Sequence, residues 1–207
     1  MAHPPAAPST GSGIDLYWLP LGAGGRVVPR CGRAYERLAA ARAKRPRQPL
    51  FHAALQVAVD GTRHVIEMAP EWSSTDPGRG VVTVGPVGLR ALGRLRAFRY
   101  EVRCWPGGRI PDVAWAVDSP QRVSDDDEQA ARVLAQVARV PALTWGRDEL
   151  ELGDMWNSNS LVAWLLSTCG LDAGGLAPPR GGRAPGWTSG LVLAGRVPAR
   201  DGPSRSP

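Results

Sequence analysis

Apolar and polar positions alternate with two periods along this chain, and each change of period marks an element. Ile14 to Leu19 (IDLYWL) is rich in strand formers and stops at Pro20 and Gly22, which predicts a strand. From Gly32 to Lys44 the run GRAYERLAAARAK sets Tyr35, Leu38 and Ala39 on one helical face, and Pro46 ends that helix. His52 to Val59 (HAALQVAV) and Arg63 to Met68 (RHVIEM) flank Asp60-Gly61. Both turn residues tolerate positive φ, so a tight hairpin is expected there. Gly80 to Val84 and Phe98 to Trp105 read as further strands. Ser124 followed by Asp125, Asp126, Asp127 and Glu128 predicts a helix start, with a hydroxyl cap and acids at the positive dipole end. That helix would run on through AARVLAQVARV to Pro141. Asn157 to Cys169 (NSNSLVAWLLSTC) predicts an apolar helix closed by Gly170. The order strand, helix, antiparallel strands, helix, helix is that of an α+β domain.

Residues 1–13 are mostly Pro, Ala, Ser and Gly and predict a disordered lead; 197–207 (VPARDGPSRSP) predict a disordered tail. Between them, 14–196 read as one domain without an internal repeat, which suits a chain of 207 residues. The longest apolar run, Leu161 to Leu166, falls far short of the roughly 20 residues of a bilayer span, so no transmembrane segment is expected. MAHPPAAPSTGSG lacks the basic start and apolar stretch of a secretory leader, and a cytoplasmic location is the expectation.

Charge changes the picture little. The net +6 is almost all arginine, since Lys44 is the one lysine, and with 25 Gly and 20 Pro this is the composition of a GC-rich bacterium. The arginines scatter among acids rather than forming a stripe, so no nucleic-acid partner is expected. Cys31, Cys104 and Cys169 lie far apart, with no CxxC pair, which predicts free thiols, no disulfide framework and no metal site. GAGG at Gly22–Gly25 lacks the phosphate-binding pattern and reads as a turn.

A nucleophile needs a base within hydrogen-bond reach and a third group to orient that base. Of the histidines, His3 falls in the lead, while His52 and His64 fall on the two hairpin strands. Glu67 can approach His52 across the ladder; His64, three residues from Glu67, points to the other face. Glu67 can equally serve as an arginine partner. At Met155-Trp156-Asn157-Ser158-Asn159-Ser160 small polar residues lead abruptly into an apolar helix. A side chain there sits beside free amides and the positive dipole end, where an oxyanion is stabilised; capping by Asn157 or Ser158 explains the same residues.

These pieces resemble the circularly permuted papain-like (NlpC-like) superfamily, which includes the lecithin:retinol acyltransferase-like proteins. Gly13-Ile14-Asp15-Leu16-Tyr17-Trp18 is similar to that group's opening strand, and HAALQVAVDGTRHVIEMAP (52–70) to its histidine strand and hairpin. NSNSLV (157–162) matches its NCxx(F/L)V motif with serine in place of the cysteine. The resemblance spans roughly residues 13–170. It implies an antiparallel sheet or half-barrel packed against helices, with Ser158 as nucleophile, His52 as base and Glu67 as the orienting group. Asn157 and Asn159 are expected at the oxyanion or substrate, through the amides of Ser158 and Asn159 at the helix start; Trp156, which adjoins Ser158, is expected to line the cleft, and no metal or organic cofactor is implied.

A serine, unlike a cysteine, is not pre-ionised by a helix dipole, so His52 would have to take its proton during attack. Ser160 and Cys31 are the alternative nucleophiles, Cys31 because it precedes the predicted Gly32–Lys44 helix. Cys104 is expected mid-strand and inert, and Trp187 in a Gly/Pro loop. The expected function is a hydrolase or acyltransferase acting on an ester, thioester or amide of a small-molecule, acyl or peptide substrate. The alternative is a non-catalytic binding or accessory protein that keeps the fold. Glu71–Arg79 and Leu176–Trp187 are the expected specificity loops.

Overall fold

The computed structural model describes residues 11–21 and 27–196, the side chains of 27–31 excepted. It is an α+β structure built on an antiparallel sheet of six strands. The strands are β1 (Gly13–Pro20), β2 (Phe51–Val59), β3 (Thr62–Pro70), β4 (Val81–Pro86), β5 (Arg99–Pro106) and β6 (Gln121–Ser124). Their spatial order is β4-β5-β3-β2-β1-β6. Among the described residues four helices accompany them: α1 (Val27–Arg42), α2 (Asp127–Val137), α3 (Ser158–Thr168) and α4 (Trp187–Arg196).

Strict alternation divides each central strand between two faces. Ile14, Leu16 and Trp18 of β1, Ala53, Leu55 and Val57 of β2, Ile66 and Met68 of β3, and Tyr100 and Val102 of β5 pack into the main core with α2, α3 and α4. Tyr17, Leu19, Ala54 and Val65 face the other way and meet Ile110, Val113 and Ala116 of the loop after β5. α3 is apolar all round because it is enclosed all round: Ser158 through Leu166 are buried. Each of its large leucines contributes about 1.5–3 kcal/mol by leaving water.

The hairpin turns at Asp60-Gly61, with φ of 50° and 72°, and Val59 pairs with Thr62. α3 closes as predicted at Gly170, where φ is 78°. The amides of Gly170 and Leu171 there reach back to Ser167 O (3.1 Å) and Leu166 O (3.0 Å).

Several expectations are corrected. α1 begins at Val27, not Gly32, so Cys31 sits inside the helix rather than ahead of it and gains nothing from a helix start. Pro29 is tolerated because it occupies the first turn, where amides lack intrahelical partners. Ser124 ends β6 and is not the cap of α2; the cap is Asp126, whose Oδ1 accepts from the Gln129 amide at 2.8 Å. α2 stops at Val137, short of Pro141. Trp187 starts α4 instead of lying in a loop, and its Nε1 donates to Ala173 O at 3.0 Å. Gly13, placed in the lead, opens β1. His3, Gly22–Gly25, most of the lead and the 197–207 tail lie outside the described residues.

Candidate functional site

The β2–β3 ladder stops at Leu55–Ile66, although both strands continue beyond it. β2 runs back to Phe51 in company with β1, and β3 runs forward to Pro70 in company with β5. The sheet therefore forks. A cavity of about 690 Å³ occupies the fork, with Leu19, Leu21 and His52 on one side and Glu67 through Pro70, Trp72 and Arg103 on the other. Ser158, Trp145, Trp105 and the Arg109–Asp112 stretch complete its lining.

Ser158 reaches the fork because α3 starts there. Asn157 caps the helix, accepting from the amides of Asn159 (2.9 Å) and Ser160 (3.2 Å). Ser160 Oγ returns the favour by accepting from the Asn157 amide (3.1 Å) and donating to Met155 O (2.9 Å), a complete capping box. Asn159 then fixes the helix to the histidine strand: its Nδ2 donates to Phe51 O (3.0 Å), one residue before His52, and to Pro185 O (2.8 Å). Two segments over a hundred residues apart in sequence are thus pinned at the positions flanking His52 and Ser158.

His52 is partly buried, and loss of solvation pushes its pKa down to about 4, so the ring is neutral at neutral pH. Burial also pushes the Glu67 carboxyl up, opposed by the charge of Arg103. Glu67 is engaged by Arg103 (3.4 Å) rather than hydrogen-bonded to His52. Arg103 in turn donates to Glu101 (2.9 Å), Pro70 O (3.2 Å) and Ser73 Oγ (3.2 Å). Arg79 grips Glu101 with two bonds of 2.7 and 2.5 Å, which hold that carboxyl below its usual range. Asp112, also on the cavity, is raised by burial.

The predicted residues thus divide. Ser158, His52 and Glu67 line one cavity. His64, paired with Val57, lies on the opposite face, as the alternation required. Three assignments need correction. The Asn159 amide is occupied by the Asn157 cap and is not a free oxyanion donor, and the Asn157 side chain is itself spent on the cap and on Pro185 O (2.8 Å). Trp156 is 2% exposed in the core; Trp145, its bridge partner, takes the cavity position instead. Ser160 is fully buried in the capping box and cannot meet a substrate. Burial raises the thiols of Cys104 and Cys169, which disfavours the thiolate at both. Of the two expected specificity loops, Glu71–Arg79 supplies Trp72, Ser73, Ser74, Asp76 and Arg79 to the lining.

The sequence alone does not show the Arg79–Glu101–Arg103 network. Its signal lay in RYEVRCW, where charged Glu101 and Arg103 alternate with apolar Tyr100 and Val102. Alternation gives a charged face but not its burial, which comes from β4 and the 71–79 loop. Among the described residues no group of three or more His, Cys, Asp or Glu side chains is placed to hold a metal ion. No helix of the described residues is long and apolar enough to cross a membrane.

No family model, curated protein or solved structure matches the chain.

Proposed function

We propose that this protein is a serine-nucleophile hydrolase or acyltransferase of permuted papain-like type, acting on an ester, thioester or amide carbonyl. One observation carries the reading: a hydroxyl at the start of a buried helix and a neutral imidazole from a remote strand line the same cavity. Ser158 attacks the carbonyl and passes its proton to His52. The Ser158 amide, at the positive end of α3, faces the developing oxyanion. Glu67, anchored by Arg103, supplies negative charge across the fork that favours the imidazolium as it forms. His52 then returns the proton to the leaving group, and water or another acceptor releases the acyl chain from Ser158.

A fluorophosphonate probe tests this directly. Wild type is expected to be labelled at Ser158, and His52→Gln or Ser158→Ala to cut labelling or turnover at least about 10³-fold with the fold intact. Full activity in Ser158→Ala together with loss in Cys31→Ala would sink the assignment. The second reading, a binding protein on the same fold, is favoured by the engagement of Glu67 with Arg103. It predicts no labelling, and a ligand that raises the thermal midpoint.

A further inference from the structure

Beside the free edge of the sheet the chain turns a run of large apolar side chains outward. Among the described residues β4 is the outermost strand and pairs with β5 alone. After it the chain folds back through two 3-10 turns, Arg90–Arg94 and Arg96–Phe98, with Gly93 lying over Pro86. Leu89, Leu95 and Phe98 of this segment are 51%, 55% and 40% exposed. Val81, Val82 and Val84 of the adjoining strand are exposed as well. A patch of this kind on an ordered surface marks a contact.

The polar residues around it are mostly arginine. Arg90, Arg94 and Arg96 alternate with the leucines and are exposed, and Arg99 and Arg147 adjoin them. The acids of this corner are Glu71, which binds Arg96 (3.0 Å) and Arg99 (2.5 Å), Glu149, 3.7 Å from Arg90, and the exposed Asp148 beside Arg147. Five arginines face three acids, a surplus of two, and Arg94 has no carboxylate partner among the described residues. The patch also continues to the cavity rim, because the Glu71–Ser73 turn packs on Arg96–Phe98 and carries Trp72, 51% exposed.

We propose that this corner is a peripheral docking surface for an anionic lipid bilayer. A nucleic acid would satisfy the arginines but leave leucine and phenylalanine in water. A second copy would bring the same positive surplus against itself across a two-fold axis. An anionic bilayer meets both requirements: guanidinium groups bind lipid phosphates, while Leu89, Leu95 and Phe98 enter the acyl boundary and the Trp72 indole rests at headgroup level. The inference stands whether or not Ser158 is catalytic.

Flotation of the full chain with vesicles tests it, using phosphatidylcholine alone and phosphatidylcholine mixed with phosphatidylserine. Binding to the anionic vesicles is expected to exceed binding to the neutral ones by about ten-fold or more and to fall as salt rises. Arg94→Ala is expected to weaken it about five-fold. Leu95→Ser with Phe98→Ser is expected to weaken it at least as much, with unchanged circular dichroism, since neither side chain belongs to the buried core. Equal binding to both vesicle types, or none, overturns the proposal. So does anionic binding that ignores the Leu95/Phe98 substitutions, or a dimer that those substitutions dissolve in the absence of lipid.

Discussion

His52 gives the sharpest test of the site, because one property governs both its chemistry and its contribution to stability. Its pKa falls from 6.5 in the open chain to about 4 in the fold, a difference of about 2.5 pH units caused by burial. At about 1.4 kcal/mol per unit this corresponds to at most about 3.5 kcal/mol, and solvent in the cavity screens it to about 1–2 kcal/mol. The sign follows from proton counts. Between 6.5 and about 4 the unfolded chain binds a proton on this ring and the folded chain does not, so stability drops as pH falls through that window and levels off below it. His52→Gln removes the effect, and urea titrations at several pH values should show wild type losing about 1–2 kcal/mol more than the variant across the window. Ring-proton NMR should place the His52 titration well below that of an ordinary histidine, and labelling of Ser158 should hold its rate down to about pH 5. A His52 titration near 6.5 refutes the reasoning, since the ring would then be solvated and the fork open to bulk water.

Two further perturbations separate structural from chemical roles. Glu101→Gln should destabilise the protein by about 3 kcal/mol in urea unfolding at neutral pH, because it removes the buried carboxyl held between Arg79 and Arg103 and leaves Arg103 only the more distant Glu67. Glu101 titrates below its usual range, so its stabilising effect is present above that range and fades in acid; the gap between wild type and variant should narrow there. Ser160→Ala should cost about 1–2 kcal/mol through loss of the capping box yet leave probe labelling of Ser158 unchanged. Loss of labelling with the fold intact would return Ser160 to the candidate nucleophiles.

The parts of the fold that sequence revealed are those whose pattern is local. The Asp60-Gly61 hairpin, the alternation of β1 and β5, and the abrupt polar-to-apolar step into α3 each carry their cause within a few residues. β6 does not: QRVS is short and polar, and forms a strand because β1 is there to pair with it. α4 holds Gly190 and Gly195, poor helix formers, and owes its place to packing, with Gly190 set against Ser160 O and Ala163 of α3. The site was legible to the same degree. Ser158 and His52 announced themselves by residue type and position, and they do line one cavity. The Trp156 assignment failed because adjacency in sequence says nothing of direction at a helix start. The partner of Glu67 was hidden because Arg103 meets it only through strand pairing.

The alternating strands carry a consequence for how this molecule can change. In β2 the odd positions Ala53, Leu55 and Val57 fill the main core, while the even positions His52, Ala54 and Gln56 look the other way. Volume-conserving swaps at the odd positions can therefore drift freely without altering what the fork admits. Insertion of one residue within the strand would exchange the two sets, lodging imidazole and amide among leucines and emptying the fork of its chemistry at a stroke.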